Sequence, residues 1–163
     1  MQGLPYLNRL AHRCGPALDY WAIRKAKSPK YMALTICWTH SWFSVTDCRA
    51  GPRCQTCSRS IFDQIKDWKA YEEGMGTRCR KTDDYATHYV VRHNPPPYYT
   101  RIAEACRKRD VPLHSSTVDL AHDLKTNTLP RFAFITPNTI HDEHDGTIAQ
   151  GDDWLRYWAG HIT

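Results

Sequence analysis

The sequence predicts an α/β domain, a mainly parallel sheet flanked by helices, on three observations. Short β-rich runs alternate with stretches of helical spacing; the run RFAFI at residues 131–135 is apolar enough for a buried parallel strand; and polar or charged residues gather in the turns that follow such runs. In a sheet of this kind ligands bind beyond the carboxyl ends of the strands, so the turns after Arg24, Arg92 and Ile135 are where chemistry is expected.

Taken in order, residues 6–12 read as a short helix and residues 18–24 as a strand. Residues 28–34 begin a helix, because Ser28 as N-cap followed by Pro29 at the first helical position is pre-organised for one. The run DCRAGPRCQTC at residues 47–57 has turn chemistry without periodicity and reads as a loop that needs cross-links to stay ordered. Residues 60–73 restore helical spacing, with Ile61, Ile65, Trp68 and Tyr71 on one face and Asp63, Lys66, Asp67 and Glu73 toward water. Residues 88–92 form a β-rich run, Pro95, Pro96 and Pro97 turn the chain, and residues 98–109 make a second amphipathic helix. The strand 131–135 and a helix over residues 152–161 complete the reading. No internal repeat or low-complexity linker interrupts it, so residues 1–163 are expected to form a single domain.

A chain of 163 residues buries roughly two-thirds of its unfolded surface, enough for one core. Its mean hydropathy is −0.64, and no apolar stretch approaches the roughly 20 residues needed to cross a bilayer, which excludes a membrane span. The net charge of +5 is dispersed, with acidic residues interrupting the basic ones outside residues 24–30, so no nucleic-acid partner is expected. Seven cysteines (Cys14, Cys37, Cys48, Cys54, Cys57, Cys79 and Cys106) suit an oxidising compartment, the odd count leaving at least one unpaired. Yet the first twenty residues lack the continuous apolar core of a signal peptide, so either export depends on sequence outside this chain or the cysteines have another use. The C-x₂-C spacing of Cys54 and Cys57, with Cys48 nearby, is that of many zinc sites; without a second pair at zinc-finger distance, disulfides or free thiols are the preferred reading.

Three clusters could carry chemistry. The run of residues 136–145 directly after RFAFI ends in His141, Asp142, Glu143, His144 and Asp145, five titratable side chains together, a mixture suited to a divalent metal; a solvated acidic turn would use the same residues. Arg92, His93 and Asn94 could donate hydrogen bonds to phosphate oxygens, or form a capping turn. In K-A-K-S-P-K at residues 25–30, the backbone N–H groups of a helix start and three lysines, Lys30 among them, favour an anion. Ser28 there is either a nucleophile, if its pKa is lowered, or a plain N-cap.

Several stretches together resemble one family. RFAFITPNTIHDEHDGTIAQGDDWLRYW is similar to a pattern of strand, Thr-Pro-Asn, Asp-x-His-Asp and Gly-Asp-x-Trp-Leu; SIFDQIKDWKAYEEGM, VVRHNPPPYYT and YWAIRKAKSPKYMALT add to it in the same order. The pattern is that of the bacterial phosphoesterases of the alkaline-phosphatase superfamily, which include secreted acid phosphatases, phosphatidylinositol-3-phosphatases and relatives of phospholipase C. The resemblance implies a secreted or extracytoplasmic, monomeric hydrolase. It would act on a phosphate ester or phospholipid headgroup at a divalent metal ion, which polarises the phosphoryl group and stabilises the leaving oxygen. On this resemblance Asp142, His144 and Asp145 are metal ligands, Lys30, His93 and Asn94 bind phosphate, Ser28 is the catalytic nucleophile, and Cys79 pairs with Cys106.

The chain also departs from the family pattern. Where the family has His-Pro-Ser-Leu-Pro-Asn-Tyr, gapless alignment gives residues 25–31 as KAKSPKY, with Lys27 at the nucleophile position; Ser28, one residue on, is turned by about 100° on a helix. A family Ser-Gly pair is replaced by Ile36 and Cys37. Family motifs Glu-Asn-His-Ser and Trp-Asp-Glu would lie before Met1 and after Thr163, which implies a partial domain, incomplete at both ends. A non-catalytic remnant of the fold that binds phosphate-bearing ligands is the alternative function, and a cysteine-linked interaction module a third.

Overall fold

The computed structural model of the protein describes residues 3–22, 25–36, 47–114 and 120–162. In chain order the elements are α1 (Pro5–Cys14), α2 (Lys27–Ile36), α3 (Ile61–Gln64), β1 (Trp68–Glu72), α4 (Ala103–Arg109), β2 (Asp110–Pro112), α5 (Leu120–Thr126), β3 (Phe132–Thr136) and α6 (Ile148–Ile162). Three single 3₁₀ turns, Val91–His93, Pro96–Tyr98 and Thr100–Ile102, lead into α4. The chain divides into two compact units, one of Met1–Trp21 with Pro137–Thr163 and one of Ala22–Thr136.

The larger unit holds a sheet of order β2-β1-β3 in which both pairings are parallel. It is the α/β arrangement that the alternating runs predict. Side chains alternate along a strand, so Trp68, Ala70 and Glu72 face one side of β1 and Lys69 and Tyr71 the other. On the first side Phe62 of α3 is the centre of an aromatic core, its ring 4.7 Å from Trp68, 5.8 Å from Phe132 and 6.1 Å from Tyr99. Burying an aromatic side chain of this kind contributes about 1.5–3 kcal/mol. On the second side Lys69 and Tyr71 both reach the Asp123 carboxylate of α5 at 2.5 Å. Helices thus cover both faces of the central strand.

Several expected elements are changed. Residues 60–73 are not one helix: a single turn, closed by the Ser60 N–H and hydroxyl donating to Asp63 at 2.9 Å, gives way to β1. The spacing of Ile61, Ile65 and Trp68 suits a helix, but β1 gains backbone partners on both edges, and that tertiary pairing overrides local periodicity. Glu73, expected in water, is buried as a consequence. Residues 88–92 form no strand; Tyr89 makes an isolated bridge to Asp84 and the chain then turns. The helix expected over 98–109 begins at Ala103, because three successive prolines without N–H donors set tight 3₁₀ turns first. Of residues 18–24, the described part is turn and irregular chain with Leu18, Tyr20 and Trp21 exposed and no partner strand; Arg24 lies outside the described residues, as does Cys37. β3 ends one residue later than RFAFI and is half-buried, since only one of its edges is paired.

The loop at residues 47–57 is cross-linked as expected, by Cys48–Cys54, and Cys79–Cys106 forms the second disulfide. Cys14 and Cys57 are free and exposed. In the smaller unit α1 and α6 are joined by Asp152, whose carboxylate accepts the Tyr6 and Leu7 N–H groups at 2.8 Å each and so caps α1. α6 starts at Ile148, earlier than expected, because Thr147 and Gln150 form a capping box: Gln150 Oε1 accepts from Thr147 N at 2.8 Å.

Candidate functional site

The first candidate cluster is the start of α2. Helix geometry begins at Lys27, so Ser28 is inside the first turn and is not the N-cap. Its place is taken by Asp47, whose Oδ1 accepts the N–H of Lys27 at 2.7 Å and of Ser28 at 2.8 Å. The position that sequence reading assigns to an external anion is therefore filled by a carboxylate of the chain itself. Ser28 is 1% exposed and its Oγ makes no hydrogen bond of ordinary geometry among the described residues. Burial pushes the nearby Tyr98 hydroxyl up, with Ser28 acting in the opposite direction, and Tyr98 gives its proton to the Cys48 carbonyl at 2.6 Å. Lys30, in the same turn, is half-buried.

The second cluster meets the first. Tyr31 of α2 stacks on His93, ring centroids 4.9 Å apart at 19°, so the helix carrying Ser28 and Lys30 lies against the Val91–His93 turn. His93 is 2% exposed. Asn94 is fully buried, and its amide nitrogen donates to Asp110 Oδ2 at 2.9 Å, to the Tyr89 hydroxyl at 3.1 Å and toward Met75 Sδ at 3.4 Å. That amide is committed to the interior. Beside it, Glu72 accepts from Thr136 Oγ1 at 3.0 Å across the β1–β3 pair. Burial pushes the carboxyls of both Glu72 and Asp110 up; the charge of Asp110 adds to the effect on Glu72, and the Asn94 hydrogen bond opposes the effect on Asp110.

Sequence reading missed Asp47, Glu72 and Asp110. Asp47 sits in a cysteine-rich loop and Glu72 in a stretch with helical spacing, and Asp110 ends a run of basic residues; nothing local marks any of them.

The third cluster belongs to the smaller unit. Residues 137–147 are folded by their own hydrogen bonds: Asn138 Oδ1 accepts from Ile140 N at 3.0 Å and His141 N at 3.1 Å, Asp142 Oδ1 accepts from His144 N at 2.9 Å, and Asp145 N donates to Thr139 O at 2.8 Å. Glu143 takes a positive φ of 67°, and Gly146 has no room for a side chain, since an added Cβ would stand 2.1 Å from the Ile140 carbonyl. His141 stacks on Trp154 of α6 with centroids 6.4 Å apart. His144 and Asp145 are exposed and Asp142 is half-buried.

Metal binding can be tested on donor geometry. Among the described residues, one set of three His, Cys, Asp or Glu ligand atoms lies within 4.8 Å of one another, and it is Cys79, Cys106 and Asp110. The two sulfurs of that set are bonded to each other, so no thiolate is available and the set does not fit a cation in the oxidised protein. Asp142, His144 and Asp145 do not converge to that degree, so these three alone do not fit a closed metal site.

Comparison with known proteins gives consistent relatives. The model of the family described as "Phosphoesterase family" matches residues 4–163. A "Probable acid phosphatase" of Kluyveromyces lactis is 28% identical over 162 residues, 92% of this chain and 37% of that protein. An "Acid phosphatase" of Aspergillus fumigatus is 34% identical over 98 residues, 56% of this chain and 21% of that protein, and an "Acid phosphatase" of Aspergillus niger is 28% identical over 142 residues, 83% and 33%. The chain thus spans about a fifth to somewhat over a third of the length of these curated relatives, which are fungal. No solved structure matches.

Proposed function

Because this chain belongs to the Phosphoesterase family, we propose that it hydrolyses phosphate esters, as an acid phosphatase or a phosphoinositide phosphatase acting on a phosphorylated headgroup. The observation that supports this reading best is the stacking of Tyr31 on His93, which gathers Ser28, Lys30 and His93 at one place in the larger unit. In the proposed reaction Lys30 and His93 hold phosphate oxygens, Ser28 Oγ is the nucleophile, and Asn94 keeps the His93 turn in place from behind. Asp142, His144 and Asp145, which alone make no closed site, would supply part of the ligand set of a divalent metal, which would polarise the phosphoryl group. On this reading the chain is a single monomeric phosphoesterase domain, and the two disulfides suit a secreted protein.

The test is release of phosphate from an aryl phosphate with added divalent metals, by the native chain and by an Asp142→Ala, His144→Ala double variant. Turnover that drops in the variant supports the reading; equal rates reject it.

A second reading has its own support. Ser28 is buried, Lys27 stands at the family's nucleophile position, and Asp47 already occupies the α2 N-terminus, an arrangement that suits a non-catalytic remnant binding phosphate-bearing ligands. Bound phosphate near His93 without turnover supports that reading, and measurable turnover excludes it.

A further inference from the structure

Asp110 and Asn94 are joined at one point and orphaned at another. Asn94 Nδ2 donates to Asp110 Oδ2 at 2.9 Å, yet Asn94 Oδ1 and Asp110 Oδ1 are both buried with no hydrogen-bond partner among the described residues. The amide cannot be turned round to relieve this. The Tyr89 hydroxyl gives its proton to the Arg80 carbonyl at 2.8 Å, so its oxygen must accept, and the Asn94 group facing it must be the nitrogen. Two buried oxygens without a donor would each lose their hydration uncompensated. One proton between them removes both penalties.

We propose that Asp110 is a positioning residue held as a neutral acid, its Oδ1–H donating to Asn94 Oδ1 while Asn94 Nδ2 donates back to Asp110 Oδ2. The two-point pair fixes the residue that follows His93 and so keeps the Val91–His93 turn against α2. The surroundings agree. From β1 the facing group is Glu72, a second buried carboxyl, and from the segment before Asn94 it is Tyr89, a neutral phenol. From α4 it is Cys106 Sγ, 3.6 Å from Asp110 Oδ2 and locked in a disulfide, so it has no proton to give. None of these groups is a cation, and burial pushes the Asp110 carboxyl up.

The consequence for turnover rests on the phosphoesterase reading, whereas the consequence for the fold does not. The experiment follows the unfolding midpoint and the pH profile of aryl phosphate hydrolysis for the native chain, Asp110→Asn and Asp110→Ala. Asparagine at this position offers an N–H where the neutral acid offers its O–H. The native midpoint should fall by about 4 °C per pH unit above the ordinary carboxyl range, where the unfolded chain is ionised and folded Asp110 keeps its proton, and level off once folded Asp110 ionises. Asp110→Asn should match the native chain at pH 5, lose much of that fall, and carry the alkaline limb of the activity profile to higher pH; Asp110→Ala should be less stable throughout. If Asp110→Asn is as damaging as Asp110→Ala at pH 5, or titrates like the native chain, the proposal is wrong. A native chain with no turnover at any pH, but with the expected midpoints, overturns the phosphoesterase reading and leaves the pair standing.

Discussion

The carboxylate of Asp47 accepts the backbone N–H of Ser28 at 2.8 Å, from 19 residues further along the chain. It also takes the N–H of Lys27, so the first turn of α2 is capped by a side chain brought from another part of the fold. Asp47→Ala should destabilise the chain by about 1–2 kcal/mol, the usual loss for a helix cap, and Asp47→Asn by less. Ser28→Ala should change stability little, because its Oγ makes no hydrogen bond of ordinary geometry. Urea titration of the three variants decides the matter; a larger loss from Ser28→Ala than from Asp47→Ala would contradict the capping role.

The disulfides give a prediction of connectivity and of magnitude. Alkylation before reduction should label Cys14 and Cys57 and leave Cys48, Cys54, Cys79 and Cys106 unlabelled. Cys79–Cys106 spans 27 residues, and removing both sulfurs by a double serine substitution should cost about 3–4 kcal/mol on the loop-closure scale. Peptide mapping that links Cys57 to Cys54 would sink the assignment.

Chelation should separate catalysis from folding. The Cys79, Cys106 and Asp110 set is closed by its disulfide, so on the proposed function a chelator should abolish phosphate release by emptying the site of Asp142, His144 and Asp145, and lower the unfolding midpoint only through that site. Turnover should return on adding a divalent cation. A midpoint that drops on chelation by as much in the Asp142→Ala, His144→Ala double variant would show a metal held elsewhere.

Stability should decline on both sides of a moderately acidic optimum. Burial pushes the Asp123 carboxyl up, but Lys69, Tyr71 and Thr128 outweigh it and hold the group below its ordinary range. A depressed carboxyl contributes stability that is present above its unfolded pKa of about 3.9 and is lost as pH falls through the folded value. Glu72 and Asp110 are raised, so their contribution is complete below roughly pH 4 and is lost as pH rises through the folded values. Asp123→Asn should flatten the acid limb of midpoint against pH and leave the alkaline limb in place. An alkaline limb that moves with Asp123→Asn would refute the assignment.

Much of the scaffold was legible in sequence because it depends on short-range pattern. RFAFI is a parallel strand, and the 47–57 loop is cross-linked, since apolar β-rich runs and turn residues constrain the chain within a few positions. Residues 60–73 were not legible. Three apolar residues at helical spacing fit both a long helix and a single turn followed by a strand, and the choice between them lies in β2 and β3. Of the candidate site, the three clusters could be named, but not their environments: Asn94 looks equally polar on a surface or beneath one, and only its contact with Asp110 distinguishes the two.

By itself the sequence determined the α/β class, the absence of an apolar span and the family to which the chain is similar, because these follow from composition, spacing and matched motifs. Tertiary structure decided what caps α2, which carboxyls are buried together and where the amide of Asn94 points. A hydrogen bond or a desolvated charge is set by groups distant in sequence, and its energy depends on burial that no local pattern encodes.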